Sequence, residues 1–228
     1  MPMQAAEKHK MEMESLKASR IQHIIACSYN LFAEQGFDVV TMNEIAKVSE
    51  IGVASLYRYF STKEDLAIEC AIYAWNVQNE FFRSYYESEE YKTLSGYEQL
   101  KALLNVFPLA YAKNEQFFRF VYYFDAFIHR QNVPKERLMH YEQGISTVSS
   151  LVIAALEKGE SDGSITYAGL SHQNARIKRN EVYFTITHSL FSMVQKMALS
   201  GDMLAMNTEV MPEQQIALLV AIILESLR

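Results

Sequence analysis

The chain has 228 residues, half of them hydrophobic, and a formal net charge of −6. That length allows one large domain or a small one joined to a larger one, with enough apolar surface for a sizeable core. The charge argues against a generic polyanion binder coated in cations, although one basic face would be enough for DNA. Cys27 and Cys70 form no CxxC pair and read as reduced thiols. The first twenty residues lack the apolar run of a signal peptide, and no window reaches about 18 uninterrupted apolar residues. The expectation is a cytoplasmic protein that makes no membrane contact. Only four prolines and eight glycines interrupt the chain, which favours helices over many short strands.

Residues 1–18 are polar, Met-rich and of mixed charge, and read as a frayed extension. The first amphipathic helix follows over 20–35, with Ile21, Ile24, Ile25, Leu31 and Phe32 on one face around Ser28. Gly36 stands where a C-cap belongs. Thr41 lies three residues before Glu44, a capping box that opens a second, two-turn helix. Ser49-Glu50-Ile51-Gly52 interrupts it, with Gly52 taken as the residue that makes the turn. A third short helix has Leu56 and Phe60 at i and i+4, and Ser61 with Glu64 suggests a second capping box ahead of a longer helix through Trp75 and Phe81.

Further helices are expected from the capping-box spacing at Ser95-Gly96-Tyr97-Glu98 to about Lys113, over 115–130, from Pro134 onward, over much of 171–199 with a cap at Gly201, and from Pro212 to about Leu227. Lys158-Gly159 and Asp162-Gly163 read as a loop. The chain shows no alternating strand pattern. The fold class is all-α: a three-helix head at 19–66 after the 1–18 extension, on a larger helical body at 67–228.

Two short helices joined by a tight turn, flanked by longer ones, are a helix-turn-helix, whose second helix must present a face to a major groove. With Leu56 and Phe60 inward, Val53, Ala54, Ser55, Tyr57, Arg58 and Tyr59 are left largely outward. Lys63 falls in the first turn of a helix, where the dipole disfavours a cation unless a phosphate sits nearby.

The run from Arg20 to Leu66 resembles the N-terminal domain of the tetracycline-repressor (TetR) family. The resemblance is carried by Leu31-Phe32-Ala33-Glu34-Gln35-Gly36-Phe37, by Thr41-Met42-Asn43-Glu44-Ile45-Ala46, and by the run Ser55 to Leu66. It implies phosphate contacts at Thr41 and Lys63 and aromatic contacts to DNA at Tyr57 and Tyr59. Met42 and Asn43 at the start of the second helix join the candidate DNA-binding set with Val53, Ala54, Ser55 and Arg58. Glu50, Gly52 and Ala54 depart from the residues usual at those places in the family, so specificity is expected to lean on Arg58, Asn43, methyl contacts and DNA shape.

The resemblance further implies that the helical body binds a small molecule and dimerises. Helix 115–130 carries one stripe of Phe117, Phe120, Val121, Phe124 and Ile128 and another of Phe118, Tyr122, Asp125 and His129. Core packing explains any one of these aromatics. An aromatic-walled pocket would add Trp75, Phe107, Tyr111 and His188 to Phe118, Tyr122 and Asp125. The dimer face is expected on the last two helices, at Leu190, Val194, Met197, Ile216, Leu219, Val220, Ile223 and Leu227, with an intramolecular core as the alternative.

The function expected is a DNA-binding transcriptional regulator, a homodimer on a palindromic double-stranded operator, released by a small apolar or aromatic effector. The alternative is a helical small-molecule-binding protein with a degenerate head. No HExxH, GxSxG, GxGxxG or P-loop occurs and the histidines have no metal-ligand spacing, so neither an enzyme, a metal site nor a cofactor is expected.

Overall fold

The computed structural model describes residues 2–168, 178–200, 203 and 209–228, and no strand occurs among them. The element order is α1 (Pro2–Gln35), α2 (Met42–Val48), α3 (Val53–Tyr59), α4 (Lys63–Tyr86), α5 (Glu89–Thr93), α6 (Gly96–Leu104), α7 (Val106–Arg130), a 3-10 turn (Lys135–Leu138), α8 (Met139–Asp162), α9 (Arg179–Ser200) and α10 (Pro212–Ser226). The all-α reading holds. His172 and the cap expected at Gly201 lie outside the described residues. No described helix is long and apolar enough to cross a membrane.

The chain divides into two compact units, Met1–Trp75 with Tyr123–Tyr141, and Asn76–Tyr122 with Glu142–Arg228. In the first unit α1 buries Ile24, Ile25, Phe32 and Ala33 on one face. Ser28 completes that face, its hydroxyl donating to the Ile24 carbonyl at 2.7 Å. Gly36 ends α1 at φ +78, its N–H donating to the Phe32 carbonyl at 2.9 Å. The polar extension is helical as well, continuous with α1: it is rich in Ala, Met, Glu, Lys and Leu, all strong helix formers, and it grows from an already packed nucleus.

In the second unit the core gathers Leu100, Leu103 and Leu104 of α6, Val152, Ala155 and Leu156 of α8, Val182, Ile186 and Leu190 of α9, and Val220, Leu224 and Leu227 at the C-terminus. Helix α10 packs on α9 and α6. The helix expected to run unbroken to Lys113 stops at Asn105, where α6 is capped. Its successor α7 kinks at Asn114 (φ −150, ψ 57). There the Asn114 side chain accepts from the Phe117 N–H at 3.2 Å and so caps the aromatic half of the helix. Lys158-Gly159 is helical rather than looped, because α8 continues to Gly163 at φ +76. The absent side chain at Gly159 leaves room for Gly96: a Cβ built on Gly96 would meet the Gly159 nitrogen at 1.9 Å. The first N–H groups of α6 are satisfied from across this contact, by Asp162 on Gly96 at 2.8 Å and Ser164 on Tyr97 at 3.0 Å.

Candidate nucleic-acid interface

The local chemistry of the helix-turn-helix begins at Thr41. Its backbone N–H donates to the Glu44 carboxylate at 2.7 Å, and its hydroxyl accepts from the Glu44 N–H at 3.2 Å. The Thr41 N–H and the Thr41 hydroxyl, which donates to the same carboxylate at 2.8 Å, hold the Glu44 carboxyl below its ordinary range. Helix α2 is thereby fixed, with Ile45 and Ala46 buried. The turn to α3 is made by Glu50 in the left-handed region at φ +52, while Gly52 is in extended backbone at φ −71 and gives α3 no side-chain cap. The conformational burden therefore falls on Glu50 and not on Gly52, contrary to the sequence expectation.

Helix α3 is anchored by fully buried Leu56 and by buried Phe60 just beyond it. Ala54, Tyr57 and Arg58 are exposed and Val53, Ser55 and Tyr59 half-buried. The Arg58 guanidinium donates to the Ser55 hydroxyl at 2.7 Å, which lays it along the outer face. Asn43 is exposed beside the capping box. Met42 is not: only 8% of its surface is open, because the first turn of α2 packs that side chain against the core, and it leaves the DNA-binding set.

Two further corrections concern the start of α4. The capping box is Thr62 with Asp65, one residue later than the sequence suggested: Asp65 accepts from the Thr62 N–H at 3.0 Å, and its own N–H donates to the Thr62 hydroxyl at 3.1 Å. Lys63 does not stand as a bare cation. Its ammonium donates to the carbonyl of Phe37 and lies 6.0 Å from the Phe32 ring centroid and 5.6 Å from that of Phe127. Burial lowers its pKa against the pull of Asp38, Glu64 and Glu44. The carbonyl after the α1 C-cap thus accounts for a cation at this helix start without a phosphate.

Residues of the Tyr123–Tyr141 segment complete this unit. Phe127 stacks on Phe37 with centroids 4.9 Å apart. Arg130 pairs with Asp38 at 2.8 Å and Arg137 with Asp65 at 2.6 Å, the latter also donating to the Thr62 hydroxyl at 3.2 Å. Sequence reasoning missed both arginines, since nothing local signals a partner 92 positions away for Arg130 or 72 for Arg137. With Glu44, Asp38 and Asp65 engaged, exposed Lys47 and Arg58 on α2 and α3 carry no ion pair among the described residues. Lys47 was the missed cation here, and its place in the last turn of α2 was the available signal.

Residues 24–70 match the family model of bacterial regulatory proteins of the tetR family. By this match the N-terminal part of the chain is a tetR-type helix-turn-helix domain. An HTH-type transcriptional regulator from Staphylococcus aureus is 44% identical over 45 residues, 20% of this chain and 24% of that protein, so the match spans about a quarter of the curated relatives' length. The fold extends much further. A TetR-family regulator from Agrobacterium tumefaciens superposes with a TM-score of 0.66 at 16% identity over 92% of this chain and 98% of its own. The ketosteroid transcriptional regulator of Mycobacterium tuberculosis gives 0.60 at 19% identity over 91% and 94%. FadR from Bacillus subtilis, solved in complex with stearoyl-CoA, gives 0.61 at 15% identity over 91% and 99%. At these identities the last three establish the tetR-type architecture.

The candidate effector residues divide between the two units. Trp75 is buried in the first, where its indole N–H donates to the Tyr141 hydroxyl at 3.4 Å, so it is structural. Asp125 belongs to the same unit. It keeps open surface yet is crowded enough that desolvation pushes its carboxyl up to about 6. Phe107, Tyr111, Phe118, Tyr122 and His188 belong to the second. Phe191 of α9, missed in the sequence, joins two of them, at 5.3 Å from Phe107 and 6.0 Å from Phe118. Tyr122 and His188 are exposed, and His188 lies 5.6 Å from exposed Phe184.

The expected dimer stripe is largely wrong by one helix face. Leu190, Val194, Ile216, Val220 and Leu227 are buried within the chain, and Met197, Leu219 and Ile223 are half-buried. The intramolecular core claims them, since they are the residues that seat α10 on α9 and α6. The apolar side chains that α10 leaves open are Leu218, 62% exposed, and Ile222, 59% exposed, flanked by exposed Ala217 and Ala221.

Proposed function

We propose that this protein is a transcriptional regulator that binds double-stranded DNA as a homodimer and leaves its operator when a small apolar or aromatic molecule enters the helical body. The observation that carries the reading is α3: a seven-residue helix pinned by Leu56 and Phe60 that turns Ala54, Tyr57 and Arg58 outward, with Lys47 of α2 exposed and without an ion pair among the described residues. Arg58 is the side chain suited to a guanine edge, and Tyr57, Tyr59, Thr41 and Asn43 are suited to the backbone and flanking bases. The second copy docks on the α10 face of Leu218 and Ile222, where the small Ala217 and Ala221 permit close approach. A two-fold dimer in turn calls for a palindromic site with half-sites about one helical turn apart.

For the effector, Phe107, Phe118 and Phe191 supply apolar walls and Tyr122 and His188 polar edges. The stearoyl-CoA held by the Bacillus subtilis neighbour and the ketosteroid named for the mycobacterial one support an apolar occupant. Linkage requires that such a molecule bind the DNA-loaded dimer more weakly by the factor by which it weakens DNA binding.

The test is enrichment of duplexes from a random library by the full chain. The expected result is a palindromic sequence whose binding Arg58→Ala weakens by about tenfold or more, with relaxed preference at one base pair per half-site. A wild-type protein that enriches nothing above non-specific DNA would refute the regulator reading.

A further inference from the structure

The first half of α1 has no place in the head's core. From Glu7 to Arg20 every side chain is exposed, including Met11, Met13 and Leu16. A helix open on all sides, with apolar side chains bare to water, is usual only where something covers it. Its charges are sorted. At about 100° per residue, with Lys10 at zero, Lys17 falls near 340°, Arg20 near 280° and His9 near 260°. On the same scale Met13 lies near 300°, Leu16 near 240° and His23 near 220°. The acids Glu14, Glu7 and Glu12 fall near 40°, 60° and 200°, all outside that arc of about 140°. Of the cations in this stretch, only Lys8 has an ion pair among the described residues, 3.9 Å from Glu12. Lys10, Lys17 and Arg20 have none, although Glu14 lies within a turn of the first two.

We propose that this half-helix is a second DNA-contacting element, which lays Lys10, Lys17 and Arg20 along the phosphates flanking the site gripped by α2 and α3. The inference rests on the head binding DNA, as proposed above. Charge complementarity selects the partner: an arc with three Lys or Arg, two His and no carboxylate suits a polyanion. Lys10 and Lys17 are about 10 Å apart along the axis, near three steps of one DNA strand. The side chains between the cations, Met13 and Leu16, are too few for a membrane-surface helix, which needs a broad apolar face. They suit the sugar edges that lie between phosphates. The helix is preformed and continuous with the packed part of α1, so little ordering entropy opposes docking.

The experiment compares the full-length wild type with the triple variant Lys10→Gln, Lys17→Gln, Arg20→Gln on a mixed-sequence duplex of about 30 base pairs across salt concentrations. All three side chains are exposed, so unchanged circular dichroism and melting are expected. The expected result is a salt slope shallower by about 2.7 per bound protomer, so that between 50 and 200 mM salt the wild type loses about 40-fold more affinity than the variant. If the wild type binds and the slopes coincide, this inference is overturned and the head reading stands. If the wild type binds no duplex even at low salt, the head reading fails and this one with it. If phosphatidylglycerol vesicles sediment the wild type but not the variant, while the DNA slopes coincide, the face belongs to an anionic membrane surface and the inference is again overturned.

Discussion

The two compact units are built by different means. In the first, polar side chains close short helices and pin their ends: Thr41 with Glu44, Thr62 with Asp65 and Arg137, and Lys63 on the Phe37 carbonyl. In the second, long helices meet through aliphatic layers and through one contact where Gly96 and Gly159 bring two backbones together. Directional bonds of the first kind fix geometry at a cost of about 1 kcal/mol each when lost. Packing of the second kind is less directional, but each intrusion into it is felt more strongly. A surface that must present one face to DNA benefits from the former.

The largest effect expected from this contrast comes from adding a carboxylate to the second unit. Leu190 is fully buried against α10, so Leu190→Glu should cost about 5 kcal/mol and leave no cooperative unfolding transition in denaturant. Leu218→Glu, on the open face of α10, should leave the unfolding free energy within about 0.5 kcal/mol once protomer concentration is held fixed, yet shift sedimentation from dimer to monomer. A dimer surviving Leu218→Glu and Ile222→Glu together would move the interface off this face.

That pair also shows where the sequence was legible and where it was not. The capping box at Thr41, the N-cap half of the box expected at Ser95, the Gly36 C-cap and the α10 start at Pro212 could be read because each is a local rule acting within about one helical turn. The face of α10 was misread because Ile216 and Leu218 are both apolar. Periodicity identifies a helix that buries something, but it does not say which apolar side meets its own chain. Lys63 was misread for a related reason: its acceptor, the Phe37 carbonyl, is brought near only by the tertiary fold.

The next effect is steric. Gly96→Ala would place a methyl 1.9 Å from the Gly159 nitrogen and 2.6 Å from the Ala155 carbonyl oxygen, with backbone and no flexible side chain to yield. A loss of about 3 kcal/mol in denaturant stability is expected. In the first unit, Gly36→Ala meets only the Tyr123 ring at 3.6 Å and suffers from its φ of +78 alone, for a loss of about 1 kcal/mol. Equal losses would erase the contrast between a crowded crossing and an open turn.

A smaller effect follows from Asp125. Its folded pKa, raised from the ordinary 3.8 to about 6 by desolvation, means that the folded state holds a proton which the unfolded chain releases. Stability should therefore be greatest below pH 4 as far as this group is concerned, and fall as pH rises through 4 to 6. The full displacement corresponds to at most about 3 kcal/mol, and the open surface around the carboxyl reduces that to about 1. Asp125→Asn should raise the melting temperature at pH 7.5 and lose its advantage at pH 4. A constant difference across that range would show that the carboxyl titrates normally.

The smallest effect lies in the turn between α2 and α3, and it bears most directly on how that turn serves recognition. Glu50 occupies the left-handed region at φ +52, which costs a side-chain-bearing residue about 1 kcal/mol. Gly52, at φ −71 and ψ 142 with nothing within 4 Å of a built Cβ, occupies a place that any residue fits, yet as N-cap of α3 it offers no oxygen. Glycine is thus absent where its freedom would help and present where a hydroxyl would. Glu50→Gly relieves the strain but adds freedom to the unfolded chain, so the net gain should be about 0.5 kcal/mol. Gly52→Ser should gain about the same, through a cap on the N–H of Ala54 or Ser55 and a stiffer unfolded state. The double variant should add nearly in full, to about 1 kcal/mol, since the gains arise from separate backbone positions. Removing the Glu50 charge should also tighten binding to the DNA polyanion, whereas Gly52→Ser should leave the salt slope unchanged. If Glu50→Gly destabilises the head, the left-handed turn is held by interactions of the Glu50 side chain, and its departure from glycine is a stabilising feature.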